Sequence, residues 1–267
     1  MIGLPGSVGT IGAGNMAEAI LRGLLRAGMP PDSLRAADPD AGRLQRMREL
    51  GVHAAASNLE LARSSELVVL AVKPQQLEAA AATLPREGGP IYLSIVAGAT
   101  TAALRRLLGA GSRVVRSMPN TPALIGAGIT AVANDTGAAP ADLERACAVL
   151  RAIGAVVQVP ESALDAVTGL SGSGPAYVYA FIEALIAAGV REGLQLATAR
   201  ALALETVHGA ARLALESAED PALLRARVTS PGGTTVAGLA ALEAGGFRAA
   251  ILAAVRAATA RSKELGS

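Results

Sequence analysis

A glycine-rich segment near the start of this 267-residue chain predicts the fold of its first part: Gly9-Thr10-Ile11-Gly12-Ala13-Gly14-Asn15-Met16-Ala17. It fits the pattern G-x-G-x-x-A through Gly12, Gly14 and Ala17, between an apolar run and a helical pattern. In such a unit Gly12 permits a tight turn, Gly14 lets a pyrophosphate approach the backbone, and Ala17 allows close helix packing. The string alone is a weak signal. Its place between a strand and a helix predicts a dinucleotide-binding unit, with phosphates at the helix N-terminus.

Apolar runs of strand length recur up to about residue 160 and alternate with segments of helical length. They are Ser7 to Ile11, Leu34 to Ala37, Val52 to Ala54, Leu67 to Ala71, Ile91 to Ile95, Arg113 to Arg116, Ile129 to Ala133 and Ala155 to Val159. This alternation predicts an α/β fold with a mainly parallel sheet covered by helices. We assign residues 1–160 to an N-terminal Rossmann-type dinucleotide-binding domain.

After Pro160, Ala- and Leu-rich segments of helical length replace the strands. They are Pro175 to Ala188, Leu196 to Glu216, Pro221 to Arg227, Thr234 to Ala244 and Phe247 to Leu265. They predict a C-terminal all-α domain over residues 161–267, and at about 150 residues per domain the chain length also favours two domains. Several helices are apolar around much of their circumference, which predicts that a second subunit covers them. A tightly packed monomeric bundle is the alternative.

Composition excludes several classes of partner. Aromatic residues make up 2% of the chain, the formal net charge is +2 and no run of Lys or Arg occurs, so nucleic acid is not expected as a partner. The chain has a single cysteine, Cys147, which excludes an intramolecular disulfide and a cysteine-based zinc site. We interpret Cys147 as a core residue and predict no bound metal. The longest apolar stretch, Ala176 to Val190, has 15 residues and includes Glu183, short of a membrane span. No signal peptide pattern is recognised, and we expect a cytoplasmic protein without a membrane partner.

Asp38 lies at the end of the second predicted strand, where cofactor specificity is usually set. A carboxylate there accepts hydrogen bonds from the adenosine ribose of NAD and repels the additional phosphate of NADP. Arg35 and Arg43 are close in sequence and could offset that repulsion. A turn or helix-capping role before Pro39 is the alternative for Asp38.

Three further loops follow predicted strands, at the edge where open α/β sheets bind ligands. Lys73, one of two lysines in the chain, is positioned to approach cofactor phosphates or to lie solvated on its loop. Ser94 to Gly98 would place small residues beneath a nicotinamide. Met118 to Pro122 contains two prolines that fix an irregular turn, which could hold Asn120 and Thr121 toward a ligand.

Five blocks of sequence together resemble those of the pyrroline-5-carboxylate reductase family over essentially the whole chain. They are Ile11 to Met16, Ala71 to Pro74, Met118 to Pro122, Gly169 to Tyr177, and Thr229 to Leu239 followed by Leu242-Glu243. The resemblance implies reduction of the cyclic imine Δ1-pyrroline-5-carboxylate to L-proline, the last step of proline biosynthesis, with hydride from NADPH or NADH. This chemistry needs few titratable groups, which suits a chain whose two histidines, His53 and His208, lie outside every block.

The resemblance also assigns site residues. Asn58 contacts the adenosine ribose, Val96, Ala97 and Gly98 flank the nicotinamide, and Asn120 lies in a fixed loop beside it. The cofactor-binding set is Ile11, Gly12, Ala13, Gly14, Asn15, Met16, Asp38, Asn58, Ala71, Val72, Lys73, Pro74, Val96, Ala97, Gly98 and Asn120. Many relatives carry a small polar or basic residue where this chain has Asp38, so we predict appreciable use of NADH as well as NADPH.

The loop from Ser230 to Thr235 has the composition of an anion site, with a hydroxyl, two glycines and a helix start. From the residues alone, a helix-capping loop is the better interpretation. The resemblance implies instead that Ser230, Gly232, Gly233, Thr234 and Thr235 bind the substrate, and that the Thr235 hydroxyl, the assigned catalytic group, contacts the ring nitrogen.

The resemblance further implies a homodimer with interleaved C-terminal helices, and a substrate site between one subunit's dinucleotide domain and its partner's helical domain. Relatives also form rings of dimers. Two other functions compete with this interpretation. A different imine or β-hydroxyacid reductase would share the glycine motif, but β-hydroxyacid dehydrogenases need a catalytic lysine, and this chain has none between Lys73 and Lys263. A non-catalytic nucleotide-binding module would bind the cofactor without turnover.

Overall fold

The computed structural model describes residues 3–85 and 89–266. The chain forms two compact units, one of Met1–Ser173 with Arg256–Ser267 and one of Gly174–Val255. The compact units therefore divide later in the chain than the predicted boundary between residues 160 and 161. The end of the last helix, from Arg256 onward, belongs to the first unit.

The first unit is built on one eight-stranded sheet. Its strands are β1 (Val8–Ile11), β2 (Leu34–Ala37), β3 (His53–Ala54), β4 (Leu67–Leu70), β5 (Ile91–Ser94), β6 (Arg113–Met118), β7 (Gly128–Ala133) and β8 (Gly154–Val159). The order across the sheet is β3-β2-β1-β4-β5-β6-β7-β8. Neighbours from β3 to β6 pair in parallel, β7 is antiparallel to β6, and β8 is parallel to β7. The predicted α/β fold with a mainly parallel sheet is confirmed.

Helices cover both faces of this sheet. They are α1 (Asn15–Arg26), α2 (Ala41–Glu49), α3 (Asn58–Arg63), α4 (Leu77–Ala81), α5 (Thr101–Leu108), α6 (Pro140–Arg151) and α7 (Leu164–Val167). Short polar residues begin three of them: Asp40 accepts from the N–H groups of Gly42 and Arg43, Ser57 from Glu60, and Thr100 from Ala103. Such side chains satisfy N–H groups that the helix itself leaves without a partner.

The central strands are buried on both faces, as their continuous apolar sequence indicates. On β4, Leu67 and Val69 join one hydrophobic cluster, while Val68 and Leu70 join the other. All four are fully buried. The buried sheet therefore gives a rigid frame for the loops at its carboxyl edge.

The second unit is helical. It contains α8 (Gly174–Arg191), α9 (Leu196–Ser217), α10 (Pro221–Arg227), α11 (Thr234–Ala244) and the first part of α12 (Phe247–Leu265). Within the described chain, α8, α10 and α11 have no buried residue, and α9 buries only Ala199 and Ala203. Leu215 is 83% exposed and Leu252 is 72% exposed. A single copy thus leaves a large apolar surface uncovered, which favours association with another copy over a closed monomeric bundle.

The run Glu161–Arg191 is helical over 31 residues, longer than the apolar stretch seen in the sequence, and contains an 18-residue window with mean hydropathy 1.3. The pair α11 and α12, bent by 49°, also passes the same test of length and composition. Apolar helices that pack against another subunit meet this test too, so it does not by itself indicate a membrane.

Candidate functional site

A cavity of about 1040 Å³ opens in the first unit at the carboxyl ends of β1, β2 and β4. The strand order reverses between β1 and β4, the position where open α/β sheets bind their ligands. The predicted site residues among its lining are Ile11, Gly12, Gly14, Asn15, Asp38, Asn58, Ala71, Val72 and Lys73. The fold thus brings together residues from four separate segments of the sequence in one concave site.

The glycine loop shapes the floor of this cavity. Gly12 has φ of 95°, and a Cβ there would lie 2.6 Å from the carbonyl oxygen of Ala71, so no side chain fits. Gly14 precedes α1 as its N-cap, and a Cβ added there would meet nothing within 4 Å. The first N–H groups of α1, which have no partner within the helix, therefore border open space suited to a diphosphate.

Asp38 has the turn role that the sequence left as an alternative. Its Oδ2 accepts a hydrogen bond from the Ala13 N–H at 2.8 Å, and its Oδ1 accepts from the Asp40 N–H at 2.8 Å. The side chain is 4% exposed, and Arg43 Nη1 lies 3.5 Å from Oδ2. Asp38 thus links the glycine loop to the end of β2 by a hydrogen bond, and it also lines the cavity.

Charges of both signs surround this end of the cavity. Arg43 and Arg46 line it, with side chains 45% and 52% exposed. The pKa of Asp40 lies below its ordinary value, chiefly because the carboxylate accepts the Arg43 backbone N–H. The negative charges of Asp38 and Asp40 are therefore balanced by the positive charges of Arg43 and Arg46 at the end of the cavity where an adenosine ribose would lie.

Asn58 and Lys73 both line the cavity. Asn58 is the first residue of α3, and its Nδ2 donates to the Ala80 carbonyl at 3.1 Å. Lys73 is exposed and follows β4, so its ammonium group has freedom to approach a bound phosphate.

Other predicted cofactor residues lie outside this lining. They are Ala13, Met16, Pro74, Val96, Ala97, Gly98 and Asn120. Ala13 is fully buried, and Val96 is 3% exposed at the start of the loop after β5. The Asn120 side chain is held in place, because its Oδ1 accepts from the Ile129 N–H at 3.0 Å and its Nδ2 lies 3.4 Å from Ser171 Oγ.

A buried ion pair that was not expected from the sequence lies next to the loop after β5. Arg116 is 5% exposed, and its Nη1 lies 3.1 Å from Glu161 Oε1. The same oxygen accepts the N–H of Thr101, the first residue of α5, at 2.6 Å. The available signal was Arg116 directly after the apolar pair Val114-Val115 of β6, because a charged side chain is buried in a strand only when it has a partner.

The predicted substrate loop lies in the helical unit and forms a tight turn. The Gly233 N–H donates to the Ser230 carbonyl at 3.0 Å, and Gly232, after Pro231, has φ of 69°, as a type II turn requires. Gly233 is the N-cap of α11 without a side-chain cap, and Thr234 and Thr235 begin the helix. The turn therefore presents backbone N–H groups and hydroxyls together, which suits a carboxylate.

The two histidines lie outside the cavity lining. His53 and His208 are exposed and lie 3.6 Å and 3.7 Å from Glu60 and Glu205. Over residues 3–85 and 89–266, no group of three or more His, Cys, Asp or Glu could hold a metal ion.

The cavity at the strand crossover, the glycine loop and the partly uncovered helical unit define a dinucleotide-dependent oxidoreductase with a helical association domain. Residues 161–265 match the family model described as pyrroline-5-carboxylate reductase dimerisation, and residues 7–98 match NADP oxidoreductase, coenzyme F420-dependent. The chain belongs to the pyrroline-5-carboxylate reductase family, which confirms the resemblance seen in the sequence.

Relatives support this membership along the whole chain. The pyrroline-5-carboxylate reductase of Synechocystis sp. is 47% identical over 264 residues, covering 97% of this chain and 98% of that protein. The crystal structure of Plasmodium falciparum pyrroline carboxylate reductase with NADP bound matches with a TM-score of 0.89 and 31% identity, covering 98% of each chain. The Coxiella burnetii enzyme matches with a TM-score of 0.89 and 37% identity, also covering 98% of each chain.

Proposed function

We infer that this chain reduces Δ1-pyrroline-5-carboxylate to L-proline, using NADPH or NADH. The observation that carries the inference is membership of the reductase family over the whole chain, together with a cofactor-sized cavity at the strand crossover. The reduction adds one hydride to the imine carbon and one proton to the nitrogen, so the site chiefly has to orient two reactants.

The residues of the cavity fit a dinucleotide. When bound, the reduced nicotinamide supplies the hydride. Gly12 and Gly14 leave room for a diphosphate, the N-terminus of α1 offers its N–H groups, and Lys73 adds a positive charge. Asn58 lines the ribose side of the cavity in this proposal, Ala71 and Val72 line it just after β4, and Pro74 contacts the cofactor from the same loop.

The adenosine end accommodates both cofactors in our proposal. Asp38 lies in the lining as expected for an NAD site, while Arg43 and Arg46 offer guanidinium groups to a ribose phosphate. Because the acidic and basic side chains balance, neither cofactor is excluded by charge. We therefore retain the prediction of appreciable NADH use.

The loop from Ser230 to Thr235 holds the substrate carboxylate in this proposal. Ser230, Gly232, Gly233 and Thr234 contribute N–H groups and hydroxyls, and the helix dipole of α11 favours the negative charge. Thr235 places its hydroxyl at the imine nitrogen, where it orients the ring and assists proton delivery. Val96, Ala97 and Gly98 flank the nicotinamide, with Asn120 fixed beside them.

The chain associates with copies of itself through its dimerisation domain. We propose a homodimer as the basic assembly, with the dinucleotide domain at residues 1–160 and the dimerisation domain at 161–267. A ring of dimers is a larger assembly of the same unit. We place the enzyme in the cytoplasm, without a nucleic-acid or membrane partner.

The proposed function is tested by following cofactor absorbance with pyrroline-5-carboxylate and either NADPH or NADH. Oxidation of the cofactor that depends on the imine, with proline as the product, is the expected result. No oxidation with either nucleotide contradicts the proposal. Cofactor binding without turnover would instead indicate a non-catalytic nucleotide-binding protein.

A further inference from the structure

We propose that the last turn of α12 is a positioning element for the loop that flanks the nicotinamide, residues 96–100. The proposal rests on the proposed function, because that function places Val96, Ala97 and Gly98 beside the nicotinamide. Both segments belong to the first compact unit, although they are separated by more than 160 residues in sequence.

The contact between the two segments joins backbone to backbone. A Cβ at Gly98 would lie 2.9 Å from the Leu265 carbonyl carbon and 3.0 Å from the Gly266 nitrogen. A Cβ at Gly266 would lie 2.4 Å from the Gly98 carbonyl oxygen. Backbone atoms cannot turn aside as a flexible side chain can, so the position of residues 265–266 limits the position of Gly98.

The last turn of α12 is itself anchored away from the loop. Ser262 is 2% exposed, and its hydroxyl donates to Asp165 Oδ1 on α7 at 2.7 Å. This bond fixes the helix end one turn before the contact with Gly98. The turn therefore acts as a fixed surface against which the loop rests.

The other end of the loop is fixed independently. Glu161 Oε1 accepts the N–H of Thr101 at 2.6 Å, and the buried Arg116 holds that carboxylate in place at 3.1 Å. Within the loop, the Ala99 N–H donates to the Val96 carbonyl at 3.3 Å. The segment is thus held at Thr101 by Glu161 and at Gly98 by the end of α12.

This arrangement predicts an effect on the hydride-transfer step rather than on cofactor binding. A displacement of about 1 Å between reacting groups can lower a rate by about 100-fold. The cavity that holds the rest of the cofactor is lined by residues between Ile11 and Ala80, which do not include the loop. Loosening the last turn should therefore lower kcat and leave cofactor affinity nearly unchanged.

Two variants test the proposal in the full-length enzyme. Gly266→Ala inserts a Cβ against the Gly98 carbonyl, and Ser262→Ala removes the anchor to Asp165. Gly111→Ala is the matched control, since a Cβ at Gly111 meets nothing within 4 Å. The measurements are kcat, the dissociation constant of NADPH, the primary isotope effect with deuterium on the transferred position, oligomeric state, and hydrogen exchange of residues 96–103.

We expect kcat to fall roughly tenfold or more in both variants, with a larger isotope effect, faster exchange in residues 96–103, and less than about a threefold change in NADPH affinity. The control and the oligomeric state should be unchanged. Unchanged exchange and isotope effect in both variants would overturn the proposal, as would a loss of kcat that only follows loss of the dimer. Failure of the proposed function shows separately, as a wild-type protein that does not oxidise cofactor, because hydrogen exchange reports on the loop without turnover.

Discussion

The Ala13 N–H donates a hydrogen bond to the Asp38 carboxylate at 2.8 Å, so a residue at the end of β2 fixes the conformation of the glycine loop after β1. The other carboxylate oxygen accepts the Asp40 N–H. One side chain therefore links the glycine loop after β1 to the turn that precedes α2.

Asp38→Asn should weaken NADH binding and slightly destabilise the fold. The amide places an NH2 donor where one of the two carboxylate oxygens now accepts an N–H, and hydrogen bonds to charged groups are worth about 1.5–3 kcal/mol. We expect kcat/KM for NADH to fall about tenfold or more, with a smaller loss for NADPH. Steady-state kinetics with each cofactor measure this, with exposed Asp32→Asn as control. Equal losses for both cofactors would show that Asp38 acts only on the loop.

Arg43→Ala should lower the use of NADPH more than that of NADH. Arg43 lines the cavity near Asp38, and its removal leaves the carboxylates of Asp38 and Asp40 facing the ribose phosphate with less compensation. The ratio of kcat/KM values for NADPH and NADH should fall about fivefold to tenfold, as for a charge-assisted contact. Arg48→Ala, on the same helix but outside the lining, should leave the ratio unchanged. In the wild type, a hundredfold preference for NADPH would contradict appreciable NADH use.

Thr235→Ala should lower kcat/KM for the imine, because it removes the hydroxyl proposed to contact the imine nitrogen. Loss of one hydrogen bond that orients the ring costs about one to two kcal/mol of transition-state binding, or roughly 5-fold to 30-fold in kcat/KM for the imine. Thr235→Ser keeps the hydroxyl and should recover most of the activity. If the alanine variant is as active as the wild type, Thr235 has no part in the mechanism.

Tyr92 should make stability fall at alkaline pH. Burial raises the pKa of Tyr92 to about 12, against an ordinary value of 10.0. Between these values the unfolded chain loses the phenol proton and the folded chain keeps it, so the free energy of unfolding decreases as pH rises from 10 to 12. At about 1.4 kcal/mol per pKa unit, the full loss is roughly 2–3 kcal/mol.

Tyr92→Phe separates this effect from other alkaline titrations. At pH 8 the variant should be less stable by about 1 kcal/mol, because it lacks the hydrogen bond from the Tyr92 hydroxyl to the Pro85 carbonyl. Above pH 10 the difference should shrink and then reverse. Denaturant unfolding at several pH values measures it, and a difference independent of pH would contradict the prediction.

Leu252→Lys should disrupt self-association. Leu252 is 72% exposed in a single copy and lies in the matched dimerisation domain, where a buried lysine without a partner is unfavourable. We expect sedimentation at micromolar concentration to show more monomer, together with lower activity. Arg48→Glu, a charge change on the first unit, should leave the assembly unchanged. An active wild-type monomer at that concentration would contradict the dimer proposal.

Local patterns in the sequence predicted the regular elements closely. All eight predicted strands occur, and Pro221–Arg227, Thr234–Ala244 and Phe247–Leu265 begin and end as expected. Strand alternation and helix periodicity are properties of neighbouring residues, so a single sequence displays them. The assignment of residues 230–235 to the substrate rests on the resemblance, since composition alone favours a helix cap, and it stays a prediction.

Contacts between distant segments were not predictable in the same way. Arg116 pairs with Glu161, and the backbone of Gly98 lies against that of Leu265. No local sequence pattern connects the residues of either contact. The antiparallel direction of β7 likewise depends on how its chain returns to the sheet. For Asp38, the sequence identified the position and both candidate roles, but only the geometry showed the bond to Ala13.

Because residues 256–267 belong to the first unit, that unit cannot finish folding until translation is nearly complete. During translation the sheet and its helices emerge first, but the segment carrying Ser262 reaches them only when nearly the whole chain has been made. Until then Asp165 lacks its partner hydroxyl and Gly98 lacks its neighbour. The dinucleotide unit therefore acquires its final structure late, after the helical unit that interrupts it has been synthesised.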